Sequence, residues 1–287
     1  MHVMTGEGEL SGEEYSAFVG RSRRARDIVE PWRVEALAAA LDLRLDASLG
    51  APLPLPFHFL LFRETTSRSA TSADGHAERG DFLPPVSLPR RMFAGGRMVQ
   101  HAPLLIGEGV EQVQRIDAVD EKAGASGRLV VARLAHEYRQ KGELCLSEER
   151  DLIYLEDRGS APGPGQIEPV AEAAWQRDWE IDPVLLFRYS ALTFNSHRIH
   201  YDQRYAREEE GYPDLVVHGP LLATLLCRLA EEEAGRAIRT FRFKAMRPFF
   251  LGWPVRLRGA PQGEDGGKIE ALTPSGETGM QGIFEFA

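Results

Sequence analysis

Two cysteines in 287 residues, Cys145 and Cys227, are too few for a disulfide framework or a zinc–thiolate site. Both read as small buried apolar residues, and a reducing cytoplasm is the expected setting. No apolar run approaches the roughly 20 residues of a membrane span. The opening MHVMTGEGELSGEEY is acidic and lacks the apolar core of a secretory signal. Basic residues are in deficit, 34 Lys+Arg against 43 Asp+Glu, and the net charge of −9 argues against a nucleic-acid surface. The one Arg-rich run, Arg21-Ser-Arg23-Arg24-Ala-Arg26, is short and set among acidic residues, so it reads as a solvated face. An anionic substrate would therefore need a local basic pocket. The remaining composition, 43% hydrophobic and 27% charged, is that of a globular chain long enough for two domains or one large one.

A short pattern recurs half a chain apart. Pro103-Leu-Leu-Ile-Gly107-Glu-Gly-Val110 and Pro248-Phe-Phe-Leu-Gly252-Trp-Pro-Val255 share Pro, three apolar residues, Gly, two variable residues and Val, which suggests a duplicated unit. Between them Asp157–Pro169, DRGSAPGPGQIEP, has a connector's composition and places the boundary near residue 165, giving units 1–165 and 166–287. In the second unit a loop-like stretch, Tyr189–Tyr212, precedes a helix at Leu221–Ala234, with Pro220 at its start and Gly235 at its exit. Strands are expected at Arg239–Arg247, Trp253–Gly259, Lys268–Thr273 and Met280–Phe286. In the first unit Val34–Leu43 looks helical and Leu55–Phe62 is a short apolar run. Thr65–Gly80 reads as a polar, mobile loop, and strands are expected at Glu111–Val119, Leu129–Tyr138 and Glu143–Leu155. Helices followed by antiparallel strands make an α+β plan, a sheet wrapping a helix. Gly95-Gly96 and Gly266-Gly267 read as turns, because neither has the strand–loop–helix context of a phosphate loop.

Chemistry concentrates in Asn195-Ser-His197-Arg-Ile-His200-Tyr-Asp202 and, some twenty residues on, His218-Gly219-Pro220 at the helix start. The first amides of a helix lack intrahelical partners and carry the positive end of its dipole. The Gly219 N–H could thus take a thioester carbonyl oxygen and stabilise the enolate formed on it. His200 is the natural proton carrier near neutral pH. Asn195 cannot be a general base, but its amide can hold a water. The competing reading makes these surface polar residues and a helix cap; three histidines, an Asn and an Asp beside a helix N-terminus favour a site.

This cluster followed by HGPLLATLL resembles the motif of the MaoC-like (R)-specific enoyl-CoA hydratases, whose pattern is Asp-x-Asn-x-x-His and a later His-Gly before the central helix. The resemblance puts Asn195 where that family has its catalytic Asp, His197 on its Asn, His200 on its catalytic His, Gly219 on the glycine facing the thioester and Thr224 on a helix serine. A narrower resemblance spans nearly the whole chain. Asp74-Gly-His-Ala-Glu-Arg-Gly80-Asp-Phe-Leu-Pro-Pro85, Leu88-Pro-Arg-Arg-Met-Phe-Ala-Gly-Gly96, FNSHRIHYD and YPDLVVHGPLLATLL are similar to the fungal-type fatty-acid-synthase dehydratase-like group, in which Asn stands where it does here. That group includes 3-methylfumaryl-CoA (mesaconyl-C4-CoA) and itaconyl-CoA hydratases. The resemblance implies a double hot-dog fold, each half wrapping a sheet around a helix, with the catalytic residues in the second half only. It also implies a hydro-lyase acting on an acyl-CoA thioester, with no separate cofactor, since coenzyme A is part of the substrate.

The expected roles follow. Asn195 orients water, His200 moves the proton, Gly219 polarises the carbonyl, His197 either assists His200 or shapes the pocket, and His218 and Thr224 line the substrate site. Arg198, slightly favoured over Arg204, pairs with a substrate carboxylate. Arg90 and Arg91 either pair with coenzyme A phosphates or form a solvated basic pair. The substrate the resemblance implies is a short, branched, unsaturated dicarboxylyl-CoA, hydrated to a citramalyl-CoA-type hydroxyacyl thioester; the alternative is the longer acyl chain of a 3-hydroxyacyl-thioester dehydratase of fatty-acid metabolism. A non-haem iron set, His200-x-Asp202 with His218, is the rival from another class; Pro220 and the helix pattern suit the hot dog better, and no metal is expected. A non-catalytic acyl-CoA-binding module is the third reading. No nucleic acid or membrane partner is expected, and a homodimer is left open.

Overall fold

The computed structural model describes residues 12–124, 127–156, 163, 166 and 173–287. Its strands are β1 Ser22–Ile28, β2 Arg90–Gln100, β3 Gly109–Gly124, β4 Gly127–Gln140, β5 Glu143–Leu155, β6 Trp175–Glu180, β7 Ile238–Ala245, β8 Pro254–Pro261, β9 Gly266–Leu272 and β10 Thr278–Phe286. The helices are α1 Gly12–Tyr15, α2 Pro31–Ala40, α3 Pro183–Thr193, α4 Gln203–Glu208 and α5 Gly219–Ala234. The strands make one sheet in the order β1-β3-β4-β5-β2-β7-β10-β9-β8-β6, with every neighbouring pair antiparallel. Read from either edge, the order is the same: first, third, fourth, fifth and second strand of each half. The two halves meet where β2 pairs with β7, Gly95 opposite Lys244 through Val99 opposite Thr240.

The recurring Pro–Gly–Val pattern occupies equivalent places. Gly107 and Gly252 both take positive φ, 88° and 79°, in the turns that enter β3 and β8. The boundary at residue 165 lies outside the described residues, as does most of the Asp157–Pro169 connector.

The wrapped helix is long only in the second half. There α5 packs on β6, β7, β8, β9 and β10, burying Leu221, Leu222, Leu225, Leu226 and Leu229. At about 1.5–3 kcal/mol for each fully buried side chain, this one face is a large share of the core. In the first half α2 stops at Ala40, and before β2 the described chain has only the 3-10 turns Phe57–Leu60 and Arg68–Ala70. Pro52, Pro54 and Pro56 each remove an amide donor and disfavour the helical conformation of the residue before, so Leu53, Leu55 and Phe57 enter the core from irregular chain. The core is continuous across the join and includes Leu37 of α2, Met98 of β2, Leu186 of α3 and Phe241 of β7.

Three expectations are corrected. Gly95-Gly96 and Gly266-Gly267 lie inside strands, not turns. A Cβ on Gly95 would sit 2.5 Å from the Phe243 carbonyl oxygen, so the glycine is what lets β2 and β7 approach at the seam. Tyr189–Tyr212 is not all loop, since it contains the end of α3 and all of α4. The Arg-rich run is solvated as expected but is also the edge strand β1. Among the described residues no helix is long and apolar enough to cross a membrane. Cys145 and Cys227 are both buried and free.

Candidate active site

α3 begins with Asp182 accepting from the Leu185 amide and ends in a left-handed residue, Phe194 (φ 53°). The Asn195 and Phe194 amides return to the Ser190 and Ala191 carbonyls, 2.8 and 3.3 Å, a Schellman closure that turns the chain sharply. Asn195 Oδ1 then accepts from the His197 amide at 3.0 Å, and Arg198–His200 form a 3-10 turn. Three histidines are thereby brought together and buried: His197 (8% exposed), His200 (7%) and His218 (0%).

The His200 and His218 rings stack at 3.7 Å, and the His197 ring stands edge-on to His200 at 5.4 Å. His200 Nδ1 lies 2.7 Å from the Val216 carbonyl oxygen. A carbonyl only accepts, so Nδ1 carries the proton and Nε2 presents a lone pair. Burial lowers the His200 pKa to about 4 although the Val216 bond opposes this, so the ring is a neutral base at physiological pH. Burial, and then the neighbouring rings, push His218 well below its ordinary value. His218 Nε2 bonds Ser190 Oγ at 2.8 Å, and its backbone caps α5.

Gly219 opens α5, and a Cβ there would stand 3.0 Å from the ring of Phe93 on β2. The positive end of the helix therefore faces a side chain from the other half. Thr224 is 1% exposed and donates to the Pro220 carbonyl at 2.9 Å.

The arginines are placed differently from one another. Arg204 is 84% exposed and pairs with Glu208, one turn on, at 2.7 Å. Arg198 holds Asp202 Oδ2 at 2.8 Å, donates to the Ala73 carbonyl at 3.1 Å and covers the Tyr205 ring. Asp202 is engaged by that pair and by capping α4. Arg90 donates to the Glu210 carbonyl at 2.7 Å. It lines, with Ser72, Asp74, Arg79, Tyr205 and Glu210, a cavity of about 560 Å³. Burial holds His197 far below its ordinary value, and the charges of His76, His200 and Arg91 act in the same direction.

One part of this site was not anticipated. The segment expected to be a mobile loop is docked on the Asn195–His200 turn. The Arg198 amide donates to the Asp74 carbonyl at 2.8 Å, and Ser196 Oγ donates to the Gly75 carbonyl at 2.5 Å. Gly75 has φ 90°, and any side chain there would overlap the Ser196 carbonyl, so only glycine allows this approach. Docking brings the His76 ring to 4.0 Å from that of His197, with Asp74 on its Nδ1 at 3.0 Å. The Asp-Gly-His spelling was visible; its partner across the chain was not.

The model of the hydroxyacyl-thioester dehydratase type 2 family matches residues 56–251, which takes in the docked loop, the histidine turn and α5. The chain is 41% identical over 278 residues to the mesaconyl-C(4)-CoA hydratase of Chloroflexus aurantiacus, covering 96% of this chain and 99% of that one. Among solved structures it is similar to a MaoC-like dehydratase (TM-score 0.71, 16% identity, 94% of this chain and 99% of that one). It is also similar to a Mycobacterium tuberculosis protein described as a double hot-dog fold (TM-score 0.55, 13% identity, 93% and 96%). The mirror-ordered sheet and the helix it wraps are accordingly a double hot dog, and the histidine cluster at the helix start lies within the matched segment. The chain is a hydro-lyase belonging to the hydroxyacyl-thioester dehydratase type 2 family.

Proposed function

We propose that the protein hydrates a short, branched, unsaturated dicarboxylyl-CoA of the mesaconyl-C4-CoA or itaconyl-CoA type, giving a citramalyl-CoA-type hydroxyacyl thioester. The observation that carries this reading is the 41% identity to a mesaconyl-C(4)-CoA hydratase across nearly the full length of both chains.

The site supplies the chemistry. Gly219 N–H, at the positive end of α5, polarises the thioester carbonyl and receives the charge of the enolate. Asn195 orients the water that adds to the β-carbon. His200, neutral and with Nε2 unprotonated, carries the proton that water loses to the α-carbon. His197, His218 and Thr224 shape the pocket around these groups. Coenzyme A arrives with the substrate, so no separate cofactor is required.

Two arginine roles follow from placement. Arg90, at the start of β2, keeps its expected role toward the coenzyme phosphates, beside Arg79 on a cavity that Asp74, Glu78, Glu209 and Glu210 also line. Arg91, on β2 two residues before Phe93, joins Arg198 as a candidate for the substrate carboxylate, with Arg204 the weaker one. Arg204 stands in water and Arg198 is tied to Asp202, whereas the charge of Arg91 reaches the histidines. The sheet order supports a duplicated chain, units 1–165 and 166–287, in which the second supplies Asn195, His200 and Gly219 and the first supplies Phe93 and Arg91. One chain thus supplies all these groups, and the partner proposed is a small acyl-CoA thioester rather than a nucleic acid or a membrane. Two free, buried cysteines suit the cytoplasm.

The test is a panel of mesaconyl-C4-CoA, itaconyl-CoA, crotonyl-CoA and a long-chain 2-enoyl thioester, followed by loss of the conjugated-thioester absorbance. The dicarboxylates should give the highest kcat/KM. A preference for the long chain would instead favour the dehydratase role in the matched family's name, and tight CoA binding without turnover would favour a binding module.

A further inference from the structure

We propose that His76, held by Asp74, is a second proton-transfer group of the reaction centre, contributed by the first half of the chain. The proposal rests on the hydratase reading above and names a catalytic group that Asn195 cannot replace.

Asn195 can hold water but cannot ionise. That leaves His200, whose Nδ1–H meets a carbonyl and no carboxylate, so it can hand a proton on to the α-carbon but is a poor place for one to rest while water adds. His76 differs. Asp74 Oδ2 accepts from His76 Nδ1 at 3.0 Å, while Asp74 Oδ1 accepts from Ser72 Oγ at 2.6 Å and the His76 amide at 2.9 Å. The carboxylate is thereby fixed and the imidazole held as the tautomer with Nε2 free. A carboxylate that orients an imidazole and stabilises its charged form is the arrangement of catalytic Asp–His pairs on unrelated folds.

Position agrees with this role. The rings of His76, His197, His200 and His218 form a column with successive contacts of 4.0, 5.4 and 3.7 Å. Exposure falls along it. The His76 side chain is 21% exposed, while His197 is 8%, His200 7% and His218 0% exposed. His76 is thus the end that solvent reaches, and Asp74 borders the 560 Å³ cavity. An oxygen of Asp74, a nitrogen of His76 and a nitrogen of His197 all lie within 4.8 Å of one another. The charged and titratable groups facing His76 are Asp74, Arg79, Arg91, His197 and His200. Burial, Arg91 and Arg79 favour the neutral ring, and Asp74 favours the charged one.

The step balances. The water oxygen bonds to the β-carbon as one O–H bond breaks and its proton passes to His76 Nε2. The electron pair of the double bond moves onto the thioester oxygen at Gly219. The proton passes along the histidine column to His200, which places it on the α-carbon as the enolate collapses. Water has lost one proton, the α-carbon has gained it, and both imidazoles end neutral.

The experiment compares wild type, His76→Ala, His76→Gln and Asp74→Asn on mesaconyl-C4-CoA, with kcat, KM, the pH profile of kcat/KM, circular dichroism and metal content measured for each. Both His76 variants should lose about 10²–10⁴-fold in kcat with KM little changed. Asp74→Asn should lose less and move the acid limb of the profile to lower pH, because the imidazolium has lost its partner. A folded His76→Gln protein with wild-type kcat and pH profile overturns the proposal while leaving the hydratase reading intact. Stoichiometric metal that disappears in His76→Ala also overturns it, since Asp74, His76 and His197 would then be ligands. A wild type that turns over no enoyl-CoA takes the hydratase reading and the proposal down together.

Discussion

The rings of His200 and His218 stack at 3.7 Å and 19° from parallel, directly before the first turn of α5. Both are buried, so a proton on either ring would be costly, and each ring's charge would oppose the other's. The stack therefore fixes two neutral imidazoles beside the helix N-terminus. His200 has its Nε2 unprotonated, and His218 holds Ser190. His200→Ala should lower kcat by about 10²–10⁴-fold with folding intact, measured by turnover and circular dichroism. A folded variant with near-normal turnover would contradict the role given to His200.

Acid should weaken the fold through the same groups. His197, His200, His218 and His136 all have lowered pKa values caused first by burial, with His200 at about 4 and His136 at about 3. The unfolded chain binds these protons near pH 6.5, before the folded one does. Their contribution to stability is complete above pH 6.5 and is lost as pH falls towards the folded values, by up to about 1.4 kcal/mol per pH unit per histidine. Thermal melts at pH 7.5 and about pH 5 should show a marked drop in Tm, and His136→Gln should flatten it without touching the site. An unchanged Tm would show that these rings are not held neutral.

Asn195→Asp should retain part of the activity. Its Oδ1 already accepts from the His197 amide at 3.0 Å, and an aspartate keeps that bond while adding a titrating group. A pH–rate curve identical to wild type, with activity retained, would place Asn195 away from the reaction centre.

Much of the sheet was legible in the sequence, and the assembly of the site was not. β5 matches its expected bounds, and α5 starts two residues early, because strict alternation and a Leu stripe of helical period are local signals. β1 has no apolar face to read, since nearly all its residues are exposed, and it joins the sheet through backbone pairing with β3. β2 was obscured by Gly95-Gly96, which the seam with β7 requires. The His200 cluster and Gly219 carry their pattern within one stretch of chain. His76 stands in a visible Asp74-Gly-His spelling, but its place against His197 depends on hydrogen bonds across 121 residues, from Ser196 to Gly75, which no local pattern encodes.

Gly219→Ala should impair catalysis through Phe93. The added methyl would meet the ring at 3.0 Å, so ring or helix must shift and the amide loses its aim. A fall in kcat of up to about 10²-fold is expected, and Phe93→Ala in the same chain should restore part of it. Failure of the double variant to recover would mean that the crowding is not what Gly219 prevents.

Arg91→Ala should raise KM for mesaconyl-C4-CoA far more than for crotonyl-CoA, which has no second carboxylate. Losing such a pair costs about 2–5 kcal/mol. Arg204→Ala should leave both substrates near wild type, because its guanidinium is 84% exposed. Equal effects on the two substrates from both Arg91→Ala and Arg198→Ala would remove the dicarboxylate's physical support and favour a fatty-acyl chain.

The central claim is that water adds across the double bond of a dicarboxylyl thioester. The direct measurement is mass spectrometry of mesaconyl-C4-CoA incubated with the protein in heavy-oxygen water. The account predicts a product heavier by one labelled water with the CoA thioester intact, and no such product with His200→Ala. Unlabelled substrate alone, or free coenzyme A with the label in a released acid, would contradict it.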